Sequence, residues 1–249
     1  MTTDASRTAA IEFDGATLRL GSLDVLRRVS FHVASGETTV ILGRSGAGKS
    51  SALRLVNRLL EPTAGAVRVG GRPTTEWDPI ALRRRTGYVI QRIGLFPHRT
   101  VAANVELVPR LLGWERERIE HRTAELLELV GLPPTEYAGR YPAELSGGQQ
   151  QRVGVARALA ADPPILLADE PFGALDPITR RELQVEFRRL ATQLGKAVLF
   201  VTHDVREARR LGDRIVLLAE GRVVFAGSPA EFGESTLPAA VAFQPEDEA

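Results

Sequence analysis

The chain has 249 residues, of which 43% are hydrophobic, enough for one large α/β domain or for a core with a small subdomain. Its 32 basic and 31 acidic residues leave a net charge of +1, so the charge gives no reason to expect a nucleic-acid partner or an anionic membrane surface. The lack of cysteine excludes disulfides and thiolate metal sites. No apolar run approaches the roughly 18 residues of a membrane span.

Short apolar runs fill the chain between Ile11 and Leu42, after a small, polar segment 1–10 that we expect to be a flexible N-terminus. Asp14–Gly15 and Ser35–Gly36 interrupt these runs, as expected of hairpin strands. The last run ends at a G-x-x-x-x-G-K-S sequence, and a helical apolar pattern over 52–60 follows it. This order of strand, glycine-rich loop and helix predicts a phosphate-binding loop.

The predicted phosphate-binding loop consists of Gly43, Arg44, Ser45, Gly46, Ala47, Gly48, Lys49, Ser50 and Ser51. Its glycines allow consecutive backbone N–H groups to face a triphosphate, and the following helix adds its N-terminal donors. Lys49 is one of only two lysines beside thirty arginines, and we expect it to contact the β- and γ-phosphates. The Ser50 hydroxyl is a candidate Mg²⁺ ligand. A glycine-rich turn without a ligand is the alternative, and the flanking strand and helix disfavour it.

Beyond this loop, the pattern predicts strands over 66–69 and 87–90 and then changes character. Residues 92–145 lack strand signals, and 115–130 has helical apolar spacing, so we expect an inserted helical subdomain. Helices and strands alternate again from Ser146, which predicts a mostly parallel sheet covered on both faces. The later strands are predicted over 165–169, 197–202, 215–218 and 223–225.

Two predicted strands end in polar residues with possible catalytic roles. Asp169 and Glu170 follow an apolar strand, and neighbouring strand residues face opposite ways, so Asp169 can bind Mg²⁺ while Glu170 activates the attacking water. The alternative is a strand end that meets solvent. His203 follows the next apolar run and could contact the γ-phosphate, although a structural cap is the alternative role.

A second glycine-containing helix start occurs at Leu145-Ser146-Gly147-Gly148-Gln149. Ser146 is placed as the N-cap of this helix, whose first N–H groups could bind an anion. The alternative is a capped helix with no ligand.

Taken in order, these motifs resemble the nucleotide-binding subunit of ATP-binding-cassette transporters. The resemblance identifies 43–50 as the Walker A loop, Gln91 as the Q-loop, 145–149 as the family signature, Asp169–Glu170 as the end of Walker B, Ala174-Leu175-Asp176 as the D-loop and His203 as the switch histidine. It covers about residues 11–232, followed by a tail over 233–249. It implies an α/β P-loop fold with a mixed, mostly parallel core sheet, an N-terminal antiparallel β subdomain and a helical subdomain at about 92–145.

The resemblance also implies how the residues are used. Two subunits, identical or different, enclose two ATP molecules, so that Ser146, Gly147, Gly148, Gln149 and Asp176 of one chain complete the γ-phosphate site that Lys49, Ser50 and Gln91 form in the other. Ser50, Gln91 and Asp169 are the implied Mg²⁺ ligands, Glu170 the general base and His203 the γ-phosphate switch. The segment 91–98 is implied to receive a membrane permease, which places the chain at the cytoplasmic face of the membrane, with a solute-binding protein as an indirect partner.

One position departs from the family pattern. The family usually places an aromatic residue twenty-three positions before the first loop glycine, where it stacks on adenine, and this chain has Leu20 there. We therefore predict reduced discrimination between nucleotide bases.

Several segments look like the ATPases of bacterial osmoprotectant importers, which carry glycine betaine, carnitine, choline or proline. Those segments are 57–63, 82–84, 87–91, 93–101 and 175–180. Many members of that group carry regulatory domains of cystathionine-β-synthase type after the ATPase, and none follows here, so ionic-strength sensing is not expected. The alternatives are an importer motor for another solute, such as amino acids, and a soluble cassette ATPase of translation, DNA repair or cluster assembly. A nucleotide-binding regulator without turnover is disfavoured by the presence of both Glu170 and His203.

Overall fold

The computed structural model describes residues 9–91 and 94–243. The predicted flexible start, Arg92 and Ile93 of the predicted permease-facing segment, and the acidic end of the tail lie wholly or largely outside these ranges. The strands are β1 (Ala9–Leu20), β2 (Leu23–Ala34), β3 (Thr38–Leu42), β4 (Ala64–Val69), β5 (Arg72–Pro73), β6 (Thr86–Val89), β7 (Ile165–Asp169), β8 (Ala197–Thr202), β9 (Arg214–Ala219) and β10 (Arg222–Gly227). The helices are α1 (Lys49–Val56), α2 (Pro79–Arg84), α3 (Val101–Val105), α4 (Leu107–Leu111), α5 (Arg116–Leu129), α6 (Pro134–Tyr137), α7 (Gly147–Leu159), α8 (Pro177–Gln193), α9 (Val205–Leu211), α10 (Pro229–Gly233) and α11 (Pro238–Val241).

The chain forms two compact units. The first contains the chain up to Leu82 and again from Gly195, and the second contains Arg83–Leu194.

The first unit has an antiparallel sheet in the order β2-β1-β4-β5 and a parallel group in which β3 pairs with both β8 and β9. β10 joins β9 in the antiparallel sense. Every residue of β3 and β8 is buried, because parallel strands covered on both faces have no solvent-facing side. The predicted mixed sheet with an N-terminal antiparallel part is therefore confirmed.

The second unit contains β6 and β7, paired in parallel, and the helices α3 to α8. α7 contacts β6, α3, α5 and α8, so it is the central helix of this unit. The rings of Phe172 and Phe187 meet edge to face at 5.9 Å in the core beside α8. Helices occupy most of 101–145, with no strand among the described residues of that range.

Two predictions of local structure were wrong. Asp14–Gly15 does not end a strand, because β1 runs through it, with an extra residue between the pairs Phe13–Phe31 and Ala16–Val29. A glycine at φ 57° there forms a bulge instead of a hairpin turn. The helix predicted over 52–60 ends at Val56, since Arg58 takes a left-handed φ of 52° and Leu59 and Leu60 donate back to the Arg54 carbonyl.

Candidate nucleotide-binding site

The glycine loop of the first unit is packed backbone against backbone. A Cβ atom added to Gly43 would lie 2.4 Å from the Leu218 carbonyl oxygen, and one added to Gly48 would lie 2.8 Å from the Val25 carbonyl oxygen. Gly48 also has a φ of 101°, which side-chain-bearing residues rarely adopt. Tertiary contacts from β2 and β9 therefore require glycine at both positions.

Lys49 lies at the first position of α1 and is only 6% exposed. Its Nζ donates to the Gly43 carbonyl at 2.9 Å and to the Arg44 carbonyl at 3.1 Å, so the ammonium group bends back over the loop. The helix has a glycine N-cap and therefore no side-chain cap. This arrangement concentrates positive charge and helix N–H dipoles in one loop, which suits a polyphosphate.

His203 follows β8 at the same edge where the glycine loop follows β3. Leu42 and Thr202 are register partners in these parallel strands, so Gly43 and His203 each leave the sheet one residue later. His203 is exposed, and Asp204 is the residue that caps α9, accepting from the Arg206 N–H at 2.7 Å. Asp204, and not His203, is therefore the structural cap at this helix start.

Asp169 and Glu170 end β7 in the second unit. Asp169 is 9% exposed, and its Oδ2 lies 3.5 Å from the Tyr88 hydroxyl of β6. Glu170 has a left-handed φ of 43°, which costs about 1–2 kcal/mol for a residue with a Cβ atom. Arg28, Arg58, Asp162 and Glu220 also have positive φ, so this conformation does not by itself assign a role to Glu170.

Gln91 follows β6, the strand that runs parallel to β7. The register partner of Val89 is Ala168, so the two strands end together and the chain reaches exposed Gln91 at the same edge as Asp169. Sequence reasoning gave Tyr88 no role. Its hydroxyl lies near Asp169 because β6 and β7 pair in parallel, and the sequence around Tyr88 does not reveal that pairing.

Ser146 is the N-cap of α7, as predicted. Its hydroxyl accepts from the Gln149 N–H at 3.3 Å, and Gln149 Oε1 accepts from the Ser146 N–H at 2.9 Å, which completes a capping box. Asp176 caps α8 in a similar way, accepting from the N–H groups of Ile178 and Thr179 at 3.1 Å. Hydrogen bonds from Thr179 lower the pKa of Asp176.

Leu20 lies at the end of β1, where the β1–β2 hairpin opens to solvent. It is 47% exposed and pairs with Leu23, which is 65% exposed. Arg19 and Asp24 form an ion pair at 2.6 Å beside them. An aliphatic surface therefore stands where the family resemblance implies an aromatic ring.

The predicted Mg²⁺ ligands Ser50, Gln91 and Asp169 all offer oxygen atoms, the donor type that Mg²⁺ prefers. Ser50 belongs to the first unit and the other two to the second. Within 9–91 and 94–243, no group of three or more His, Cys, Asp or Glu side chains is placed to hold a metal ion by itself. Over the same ranges, the helices are too short or too polar to cross a membrane.

Parallel strands buried on both faces, with a glycine loop leading from β3 into α1, define the α/β P-loop fold. Residues 26–173 match the model of a family described as "ABC transporter". The chain belongs to this family.

Two relatives and one solved structure show how far the likeness extends. The glycine betaine/carnitine/choline transport ATP-binding protein OpuCA of Bacillus subtilis is 52% identical over 85% of this chain and 55% of its own length. The glycine betaine uptake system ATP-binding protein YehX of Escherichia coli is 48% identical over 88% of this chain and 71% of its own length. The dimeric post-hydrolysis structure of the ATP-binding cassette MJ0796, bound to ADP and Pi, is 35% identical, with a TM-score of 0.76 over 88% of this chain and 98% of that one. The chain thus spans about half the length of the Bacillus relative.

Proposed function

We propose that this chain hydrolyses ATP and so powers an ATP-binding-cassette importer of quaternary-amine osmoprotectants such as glycine betaine, choline or carnitine. The observation that carries the proposal is the glycine loop with Lys49 bent over it, in a chain 52% identical to a betaine, carnitine and choline transport ATP-binding protein. A shared solute class rests on that likeness alone, because the ATPase subunit does not itself contact the solute.

The proposed chemistry gives each of the predicted site residues a role. The N–H groups of 43–51 bind the phosphates, and Lys49 balances charge on the β- and γ-phosphates. Glu170 accepts a proton from water as the water oxygen bonds to the γ-phosphorus and the bond to the β–γ bridging oxygen breaks, which yields ADP and phosphate. Gln91 and His203 contact the γ-phosphate.

Mg²⁺, when bound, neutralises charge on the β- and γ-phosphate oxygens. The Ser50 hydroxyl, the Gln91 amide oxygen and the Asp169 carboxylate are the groups that would hold it. Asp169 suits this role because it is a nearly buried carboxylate, and a cation offsets the cost of burying its charge.

A second ATP-binding subunit is the proposed partner for the helix starts at Ser146 and Asp176. Residues 146–149 and Asp176 would complete the γ-phosphate site of that second subunit. The dimeric form of the MJ0796 cassette supports the proposal.

A permease is the proposed partner for the loop segment 91–98, of which the structure describes Gln91 and residues 94–98. We assign the helical subdomain to about 92–145 within an ATPase domain of 11–232. Buried Asn104 donates to the carbonyls of Phe96 at 3.2 Å and Thr100 at 3.0 Å, and Arg157 of α7 donates to the Gly94 carbonyl at 2.7 Å. Residues beside this loop line a cavity of about 290 Å³, among them Arg83, Arg84, Phe96, Leu107 and Arg157. A preformed cavity of this kind suits a segment of a membrane permease, which would hold the chain at the cytoplasmic face and link it to a solute-binding protein.

Substitution of Glu170 by Gln tests the hydrolysis. We expect turnover to fall by about 10³-fold, with ATP still bound and the dimer held together, because only the proton acceptor is lost. The control is Glu128→Gln, an exposed carboxylate on α5. Unchanged steady-state hydrolysis in Glu170→Gln would exclude Glu170 as the base.

Reconstitution of the chain with its permease and binding protein in liposomes tests the solute. Stimulation of hydrolysis by glycine betaine is the expected result. If betaine, choline, carnitine and proline all leave the rate of hydrolysis unchanged, the proposed ATPase activity stands and the proposed osmoprotectant solute is rejected.

A further inference from the structure

Arg152 joins three helices of the second unit. It lies on α7, and its Nη1 donates to the Val130 carbonyl at the end of α5 at 2.7 Å. The same guanidinium forms a close ion pair with Glu186 of α8, whose side chain is only 17% exposed. Gly131, at φ 69°, leaves room for the guanidinium, since a Cβ atom there would lie 3.0 Å from Arg152 Nη1.

A second contact joins α7 and α8 near their N-terminal ends. A Cβ atom on Gly148 would lie 2.7 Å from Thr179 Cγ2, so the two helices approach closely at this point. Gly148 is two residues after the α7 cap, and Thr179 donates its N–H to the α8 cap. These two contacts lie at different points along α7 and α8, and together they fix both the distance and the angle between the two helices.

We propose that Arg152 and Glu186 are positioning residues that hold α7 to α8, so that Ser146 and Asp176 are presented to the second nucleotide site in one fixed geometry. The inference rests on the proposed function, because that function assigns both helix starts to the γ-phosphate site of a partner subunit. Neither Arg152 nor Glu186 contacts nucleotide in this proposal, and their effect on hydrolysis passes through the two caps.

The electrostatics of the pair argue against a purely stabilising role. Burial raises the pKa of Glu186 above its ordinary value, against the opposing attraction of Arg152 and Arg189, while Glu182 adds to the rise. The folded state therefore binds this proton more tightly than the unfolded state does, and stability falls as the pH rises from the ordinary glutamate pKa through the raised one. Above that interval the ionised carboxylate stabilises the fold less than the protonated form does, because part of its hydration is lost in this partly buried pair.

Glu186→Gln is the test variant, because it keeps the size of the side chain and removes its charge. We expect exchange of the cap-bonded amides of Gln149 and Thr179 to speed up by at least about threefold, since the caps lose their fixed spacing. We expect kcat for ATP to fall about tenfold with little change in KM, because misplacement affects the reacting geometry more than binding. The thermal midpoint should stay within about 2 °C of the wild type.

Arg152→Lys and Glu182→Gln complete the design. Lysine keeps the charge, but its side chain is shorter than that of arginine and does not place an N–H donor where Arg152 Nη1 makes both contacts, so an intermediate loss of kcat is expected. Glu182 is exposed on the same helix, and its substitution should change neither exchange nor kcat.

Unchanged exchange at the two caps in Glu186→Gln would overturn the inference whatever the hydrolysis rate. A loss of kcat accompanied by a fallen thermal midpoint would also overturn it, because the pair would then only support the fold. If the wild type hydrolyses no ATP while the cap amides respond as expected, the proposed hydrolysis fails and the positioning of the two helix starts stands.

Discussion

The helices α1 and α7 both begin at glycine-rich sequences, but their first turns are completed differently. Gly48 precedes α1 and supplies no side-chain cap. Ser146 precedes α7 and forms a reciprocal capping box with Gln149. The first N–H groups of a helix have no intrahelical partners, so α7 satisfies some of them with its own side chains while α1 leaves that task to other groups.

This difference indicates different roles for the two helix starts. A loop with a buried lysine and a glycine cap is suited to bind a polyphosphate directly. A helix start that is already capped keeps its shape without a ligand, so it can be presented ready-made to a nucleotide held elsewhere. In the proposed function, α1 binds the ATP of its own chain and α7 completes the site of a partner.

Lys49→Ala tests the helix start of α1 and should cause the largest loss of ATP hydrolysis among these variants. Loss of the ammonium group removes the charge that balances the developing phosphate charge, and we expect hydrolysis to fall by about 10³-fold. Steady-state ATPase measurements check this, with Arg54→Ala as the control on an exposed position of the same helix. A Lys49→Ala protein within a factor of about three of the wild type would contradict the assigned role of the loop.

Gly48→Ala tests whether the shape of the loop depends on its tertiary contacts. The new methyl group would lie 2.7 Å from Leu26 Cδ2 and 2.8 Å from the Val25 carbonyl oxygen, at a φ of 101°. We expect the free energy of unfolding to fall by about 3 kcal/mol in urea titrations, from overpacking and backbone strain together. Gly46→Ala is the matched variant, with φ 80° but no atom within 4 Å, and should cost about 1 kcal/mol. Equal losses would show that the packing against β2 is unimportant.

Ser146→Ala tests the helix start of α7. Removal of the cap should lower the free energy of unfolding by about 1 kcal/mol. Ser228 is a matched control, because its hydroxyl accepts from the Glu231 N–H at 3.2 Å in a capping box at the start of α10. Ser228→Ala should cost a similar stability and leave hydrolysis unchanged, while Ser146→Ala should lower hydrolysis about tenfold, as expected for a lost phosphate contact. Equal ATPase rates in the two variants would remove Ser146 from the site.

Leu20→Tyr should give the smallest change. The wild type is expected to hydrolyse ATP and GTP with similar efficiency, since an exposed leucine offers no aromatic face to a base. Tyrosine should raise the preference for ATP about fivefold through stacking. Parallel kcat/KM measurements with both nucleotides check this, with Val224→Tyr at an exposed position of β10 as the control. A clear preference for ATP in the wild type would contradict the prediction.

Local sequence determined those parts of the protein whose signal is contiguous. The spans 165–169 and 197–202 were predicted with the bounds that β7 and β8 have, because a buried parallel strand is an unbroken apolar run. The glycine loop and the Ser146 cap were also readable, since both depend on residue types at fixed short spacing.

Tertiary structure decided what depends on residues far apart in the chain. The carbonyls of Val25 and Leu218 make glycine necessary in the loop, and no pattern around Gly43 or Gly48 reveals them. The bulge at Gly15 depends on the pairing register of two strands, and the ion pair of Arg152 with Glu186 depends on the packing of two helices. A sequence pattern reports the environment of neighbouring residues, whereas these contacts exist only after distant segments have packed together.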